Sequence, residues 1–190
     1  IDTEFIRDNT YFSKLCLIQV ASKNHSFIID PLKEDVKLDS LRKILNKDTI
    51  IKIFHSGRQD MEIFYHLFGE LPKPIYDTQI AAMVCGFGDQ VSYENLVNTL
   101  LNIRIDKSSR VSNWSFRPLT EKQIKYALSD VTHLIHIYEK LKNQISNGNR
   151  SLWIEDEMKS LSEIKNYEIN PSEAWMKIKI KSTKREYLNR

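Results

Sequence analysis

The apolar residues of this chain change their period partway along, and that change restricts the fold more than any other feature. Up to about residue 80, short apolar or β-branched runs predict strands at Ile1–Phe5, Leu15–Val20, Ser26–Ile29 and Ile50–Phe54. Helical stripes interrupt them. Leu38, Leu41, Ile44 and Leu45 form one, and Met61, Phe64, Tyr65 and Phe68 form another, with Gly69 as its stop. From there on only helical patterns follow, at Gln79–Cys85, Tyr93–Leu101, Glu121–Gln144 and Leu152–Ile164. Thr120 with Gln123 opens the third of these as a capping box. Strands first, with helices between and after them, predict an α/β chain whose mixed sheet is flanked by helices. A length of 190 residues suffices for one filled core plus an appendage.

Acidic residues fall on this framework at informative spacings. Asp2 and Glu4 are two apart on a predicted strand, so they project from one face. Tyr126 and Asp130 are four apart inside a predicted helix, so they also project together. Asp60 begins the helix that follows Ile50–Phe54. Carboxylates brought into one cleft from these segments would repel strongly unless divalent cations neutralised them. Two hard cations held in that way form a clamp suited to phosphodiester cleavage.

Composition excludes several classes. The 41% hydrophobic and 28% charged content is that of an ordinary soluble chain. No run of eighteen apolar residues occurs, so no membrane span is expected. No signal-peptide pattern opens the chain, and Cys16 and Cys85 lie among apolar neighbours, as buried thiols of a reducing compartment do. A cytoplasmic protein is expected. His133 and His136 are three apart without further soft ligands, which argues against structural zinc. No glycine-rich phosphate loop is present, which argues against ATP dependence. The net charge of +3 neither requires nor opposes nucleic-acid binding. The basic segment 177–190 reads either as a solvated terminus or as a nucleic-acid contact.

Five stretches in order resemble ribonuclease D, of the four-acidic-residue 3′-to-5′ exonucleases. They are Asp2-Thr-Glu-Phe5, Ile53-Phe-His-Ser-Gly-Arg-Gln-Asp60, Tyr76-Asp-Thr-Gln-Ile-Ala-Ala82, Trp114-Ser-Phe-Arg-Pro-Leu-Thr120 and Tyr126-Ala-Leu-Ser-Asp-Val131. The tyrosine four before the last aspartate resembles the tyrosine branch of that superfamily. The resemblance implies a ribonuclease-H-like fold over residues 1–145, with 146–190 as a helical extension that opens a helical RNA-binding domain. It implies two Mg²⁺ or Mn²⁺ ions held by Asp2, Glu4, Asp60 and Asp130, with Asp60 acting through water and Tyr126 orienting the attacking water. It implies release of 5′-mononucleotides from RNA 3′ ends, tRNA precursors among them. Chains of the family carry residues upstream of the first aspartate, so a fragment or shortened product is expected, with an exposed sheet edge. A monomer is expected, with a dimer through that edge as the alternative.

Other residues admit two readings each. His55 and Gln59 touch a terminal nucleotide or serve structural hydrogen bonds. Trp114 and Arg117 stack on a base and pair with phosphate, or they close the core against the Tyr126 helix. Asp77 is an N-terminal cap. A DNA-directed exonuclease and an inactive RNA-binding or scaffolding remnant are the alternative functions.

Overall fold

The computed structural model describes residues 1–8, 10–106 and 112–168. The end of the expected extension, including the basic segment 177–190, lies outside the described residues.

The period-2 runs pair as their alternation requires. Strand β1 (Asp2–Ile6) lies antiparallel to β2 (Lys14–Ala21), with Asp2 opposite Gln19 and Glu4 opposite Leu17. The register shifts after Glu4, so that Phe5 faces Leu15 and Cys16 is the extra residue of a bulge. Strand β3 (Ser26–Ile29) pairs antiparallel on the other edge of β2, and the Ser22 amide donates to the His25 carbonyl at 2.7 Å to close that hairpin. Strands β4 (Lys52–Phe54) and β5 (Ile75–Asp77) form a separate parallel pair. The Ile1 nitrogen donates to the Ile53 carbonyl at 2.8 Å, which bridges the two sheets beside β1. Strand β4 is shorter than the apolar run suggests. Ile50 and Ile51 are exposed, and the buried Lys52 turns its ammonium onto the carbonyls of Lys47, Ile50 and Lys73.

The helices are α1 (Asp39–Leu45), α2 (Arg58–Phe68), α3 (Thr78–Val84), α4 (Tyr93–Leu101), α5 (Glu121–Thr132), α6 (Leu134–Asn147) and α7 (Ser151–Leu161). Helices α1 and α2 bury Leu41, Leu45, Met61 and Phe64 against Ile18 and Phe54 on one side of the sheets. A fully buried side chain such as Phe64 contributes roughly 1.5–3 kcal/mol of transfer free energy. On the other side α5 covers β2 and β3, with Ala127 against Leu17 and Trp114. Helices α3, α4 and α6 share a second cluster through Ala81, Leu96, Ile137 and Leu141.

The helical half departs from the sequence reading at one point. The long helix expected over Glu121–Gln144 is two helices, parted at His133. The bond from the His133 amide to the Ser129 carbonyl is replaced by the Tyr93 hydroxyl, which donates to Ser129 O and accepts from His133 N, each at 3.2 Å. A side chain inserted into the helical ladder is a recognised cause of such a break. The segment after residue 145 packs back onto the domain: Ile154 joins the Ala81 cluster, and Tyr167 sits in the core with Ile1 and Phe54. Among the described residues, no helix is long and apolar enough to cross a membrane.

Candidate active site

Strand alternation sends Asp2 and Glu4 to one face of β1. The capping box at Thr120 fixes the start of α5, and four-residue spacing then stacks Tyr126 and Asp130 on one side. Between these elements one carboxylate oxygen each from Asp2, Glu4 and Asp130 lie within 4.8 Å of one another. That is a spacing at which hard cations are bound by oxygen.

The electrostatics reflect the crowding. Burial, joined by the charges of Asp2, Asp130 and Asp60, pushes the Glu4 carboxyl up to about 9. Burial raises Asp2 to about 6 and lifts Asp60 well above the usual carboxylate range, with Asp2 adding to the shift at Asp60. A protein that gathers acids into a site where they resist ionisation has built a place for positive charge. The donor set is all oxygen, which fits Mg²⁺ or Mn²⁺ and not a thiolate-loving metal.

Asp60 reaches the site from the first turn of α2 and stands outside the three-oxygen cluster, 6% exposed. Its Oδ1 accepts a hydrogen bond from the Thr3 hydroxyl at 2.5 Å. The turn leading into α2 is held by Asp77, whose carboxylate accepts from the amides of Ser56 at 3.1 Å and Gly57 at 2.7 Å. The same side chain caps α3 through Gln79 and Ile80, as the sequence predicts. Ser56 has φ 59, and a Cβ at Gly57 would come within 2.7 Å of the Phe54 Cβ. The turn therefore tolerates little beyond glycine at residue 57.

Burial, followed by the charge of nearby Asp130, raises the Tyr126 phenol above its ordinary value. Its ring lies 6.1 Å from that of Trp114. Beside the carboxylates opens a cleft of about 420 Å³, walled by His55, Ser56, Gln79, Gln90, Ser92, Tyr93 and Tyr126 among others. This volume falls in the range of small-ligand sites, roughly 300–1,000 Å³.

The remaining candidates divide. His55 lines the cleft, but both ring nitrogens are engaged within the protein, Nδ1 with Thr78 Oγ1 at 2.9 Å and Nε2 with Val91 O at 3.0 Å. The Val91 carbonyl can only accept, so Nε2 carries the proton, and burial keeps the imidazole below its usual pKa. Gln59 is exposed on α2, away from the cleft lining. Trp114 is 3% exposed in the cluster with Leu17 and Ala127. Arg117 spends its donors internally: Nε and Nη2 grip Asp30 at 2.7 Å each, Nη1 reaches the Trp114 and Phe116 carbonyls, and Nη2 also reaches Cys16 O. The structure brings neither Trp114 nor Arg117 into the cleft wall. Sequence reasoning missed Gln79, Gln90, Ser92 and Tyr93 as lining residues, because Gln90 and Ser92 precede α4 in a loop and Gln79 and Tyr93 sit in the first turns of α3 and α4. The Thr3 contact was within reach, since a residue between Asp2 and Glu4 must face the side where α2 packs.

The profile of a 3′-5′ exonuclease family matches residues 1–146. Among curated relatives, the ribonuclease D of Bartonella henselae is 47% identical over 184 residues, 97% of this chain and 45% of its own length. That of a Jannaschia species is 45% identical over 186 residues, 96% of this chain and 48% of its own. The chain thus spans about half the length of the curated relatives it matches. Among solved structures, Escherichia coli RNase D, described as an exoribonuclease involved in structured RNA processing, superposes with a TM-score of 0.86 at 36% identity, over 93% of this chain and 47% of its own. Brucella melitensis NrnC with bound Mg²⁺ gives a TM-score of 0.78 at 27% identity, over 96% of this chain and 89% of its own.

Proposed function

Since the chain belongs to the 3′-5′ exonuclease family, in its ribonuclease D branch, we propose that it removes 5′-mononucleotides from RNA 3′ ends in a divalent-metal-dependent reaction. The convergence of Asp2, Glu4 and Asp130 within 4.8 Å carries this reading. These three, with Asp60, would hold two Mg²⁺ or Mn²⁺ ions, which when bound supply charge neutralisation and an activated water. The description of the Escherichia coli relative supports structured RNA, such as tRNA precursors, as the substrate class. The protein would act as a cytoplasmic monomer.

The chain's own residues account for orientation. In the proposed reaction a water oxygen attacks the last phosphorus, the bond from phosphorus to the preceding 3′ oxygen breaks, and a shortened chain with a free 3′-hydroxyl is left. Tyr126 aligns that water as a neutral phenol. Burial and the charge of nearby Asp130 hold the phenol above its ordinary value, which keeps it protonated and disfavours a tyrosinate base near neutrality. The wall from His55 to Tyr93 receives the terminal nucleotide by shape, and His55 stiffens that wall through Thr78 and Val91. Trp114 and Arg117 act by holding the Tyr126 helix against β2.

A time course on 5′-labelled single-stranded RNA and matched DNA, with Mn²⁺, with EDTA and with Asp130→Ala, tests the proposal. The expected result is a metal-dependent ladder that shortens RNA from its 3′ end and is absent in the variant. Equal cleavage by Asp130→Ala would refute the site, and preferential cleavage of DNA would refute the substrate class. Uncut RNA from folded protein would leave a binding remnant as the better account.

A further inference from the structure

Strand β1 carries Asp2 and Glu4 on the face that meets α5, and alternation turns Thr3 to the opposite face. On that opposite face lies α2, whose Met61 and Phe64 pack with Ile18 and Phe54. Asp60 leaves the first turn of α2 and meets the Thr3 hydroxyl at 2.5 Å, across 57 residues of sequence. Both partners are 6% exposed, so water does not compete for the bond. We infer that Thr3 is a positioning residue: its hydroxyl fixes Asp60 relative to β1, so that one strand sets three of the four carboxylates, two directly and one through Thr3.

This inference rests on the metal-site reading above. With one oxygen tied to Thr3, the Asp60 carboxylate cannot rotate freely about its last bond, and its angle toward the Asp2–Glu4–Asp130 cluster follows the strand. The base of α2 is meanwhile fixed by Asp77 on the Ser56 and Gly57 amides. Asp60 thus hangs between two anchors, one on its backbone and one on its side chain. Hydrogen-bond partners of metal-ligating carboxylates tune affinity in this way, and losing one typically weakens binding about 10–100-fold.

The test measures Mn²⁺ binding by calorimetry, with circular dichroism to verify folding, on the parent, Thr3→Val, Thr3→Ser, Asp60→Asn and the Thr3→Val/Asp60→Asn pair. Thr3→Val is expected to bind Mn²⁺ about tenfold more weakly, and Thr3→Ser, which keeps the hydroxyl, to bind as the parent does. In the Asp60→Asn background the valine should cost nothing further, because its effect runs through Asp60. Thr3→Ala replaces the valine variant if that one does not fold. Parent-like binding by Thr3→Val, or an equal loss with and without Asp60, overturns the inference while leaving the metal site standing. A parent that binds no Mn²⁺ overturns the metal-site reading itself, and this inference with it.

Discussion

Two polar corners of this molecule, each holding a residue the sequence marks as a candidate for function, differ in structure. In the cleft, Asp2, Glu4 and Asp130 crowd within 4.8 Å, and burial holds Glu4 and Asp2 up at about 9 and 6. At the other corner, Arg117 and Asp30 satisfy one another at 2.7 Å, and their contact holds the Asp30 carboxyl below the usual carboxylate range. One corner accumulates like charge, which burial holds against ionisation. The other cancels its charge and completes its hydrogen bonds. A group whose bonding is complete within the fold has little left for a ligand, whereas convergent acids need something from outside. The difference separates candidate chemistry from architecture more sharply than residue type does.

The comparison breaks first at the carboxylates. Asp130→Ala should abolish nucleotide release while the protein keeps its fold, as circular dichroism checks, because the acids crowded at the site resist ionisation. A large loss of metal-free stability would mean that Asp130 is architectural. Tyr126→Phe comes next. Single-turnover rates should fall about 10²-fold, the scale of a lost orienting contact, with Mn²⁺ affinity preserved. An equal fall in Mn²⁺ affinity would place the tyrosine among the ligands instead.

A third effect depends on pH. Glu4 and Asp2 are protonated in the metal-free fold across a range where the unfolded chain has released those protons. The native state then binds more protons than the unfolded one, so metal-free stability falls as pH rises from about 4, reaching its full loss near 9. Metal must displace the same protons, so Mn²⁺ affinity should climb with pH, by about tenfold per unit for each proton released. Melting curves and calorimetry at pH 5 and 8 measure both trends. Affinity that does not change with pH would contradict the protonated site. The smallest effect on the cleft belongs to Arg117→Ala. It should cost about 2 kcal/mol of stability, since the pair is only partly exposed, while Mn²⁺ affinity stays at the parent value.

What the sequence made legible was periodic. Asp2 and Glu4 share a face because strands alternate, and Tyr126 and Asp130 share a side because the Thr120 capping box starts their helix in register. Asp77 was readable as a cap from its position before a helix. What stayed hidden depends on contacts distant in sequence. The break at His133 is made by a hydroxyl from Tyr93, and nothing within Glu121–Gln144 announces it. Arg117 sits in a segment resembling a functional motif, and only the approach of Asp30, 87 residues earlier, assigns it to the architecture. Strand β5 spans three residues after a cis Lys73–Pro74 bond, too short for any period to register. The second task of Asp77, receiving the Ser56 and Gly57 amides, likewise depends on β4 and β5 lying side by side.

The central claim is that the convergence of Asp2, Glu4 and Asp130 is a divalent-metal site. Crystals of the protein soaked in Mn²⁺, with anomalous scattering recorded at the manganese edge, test it most directly. The account predicts an anomalous peak within bonding distance of oxygens from all three carboxylates. Well-ordered side chains at Asp2, Glu4 and Asp130 with no manganese between them, at Mn²⁺ concentrations that saturate known exonucleases of the family, would contradict it.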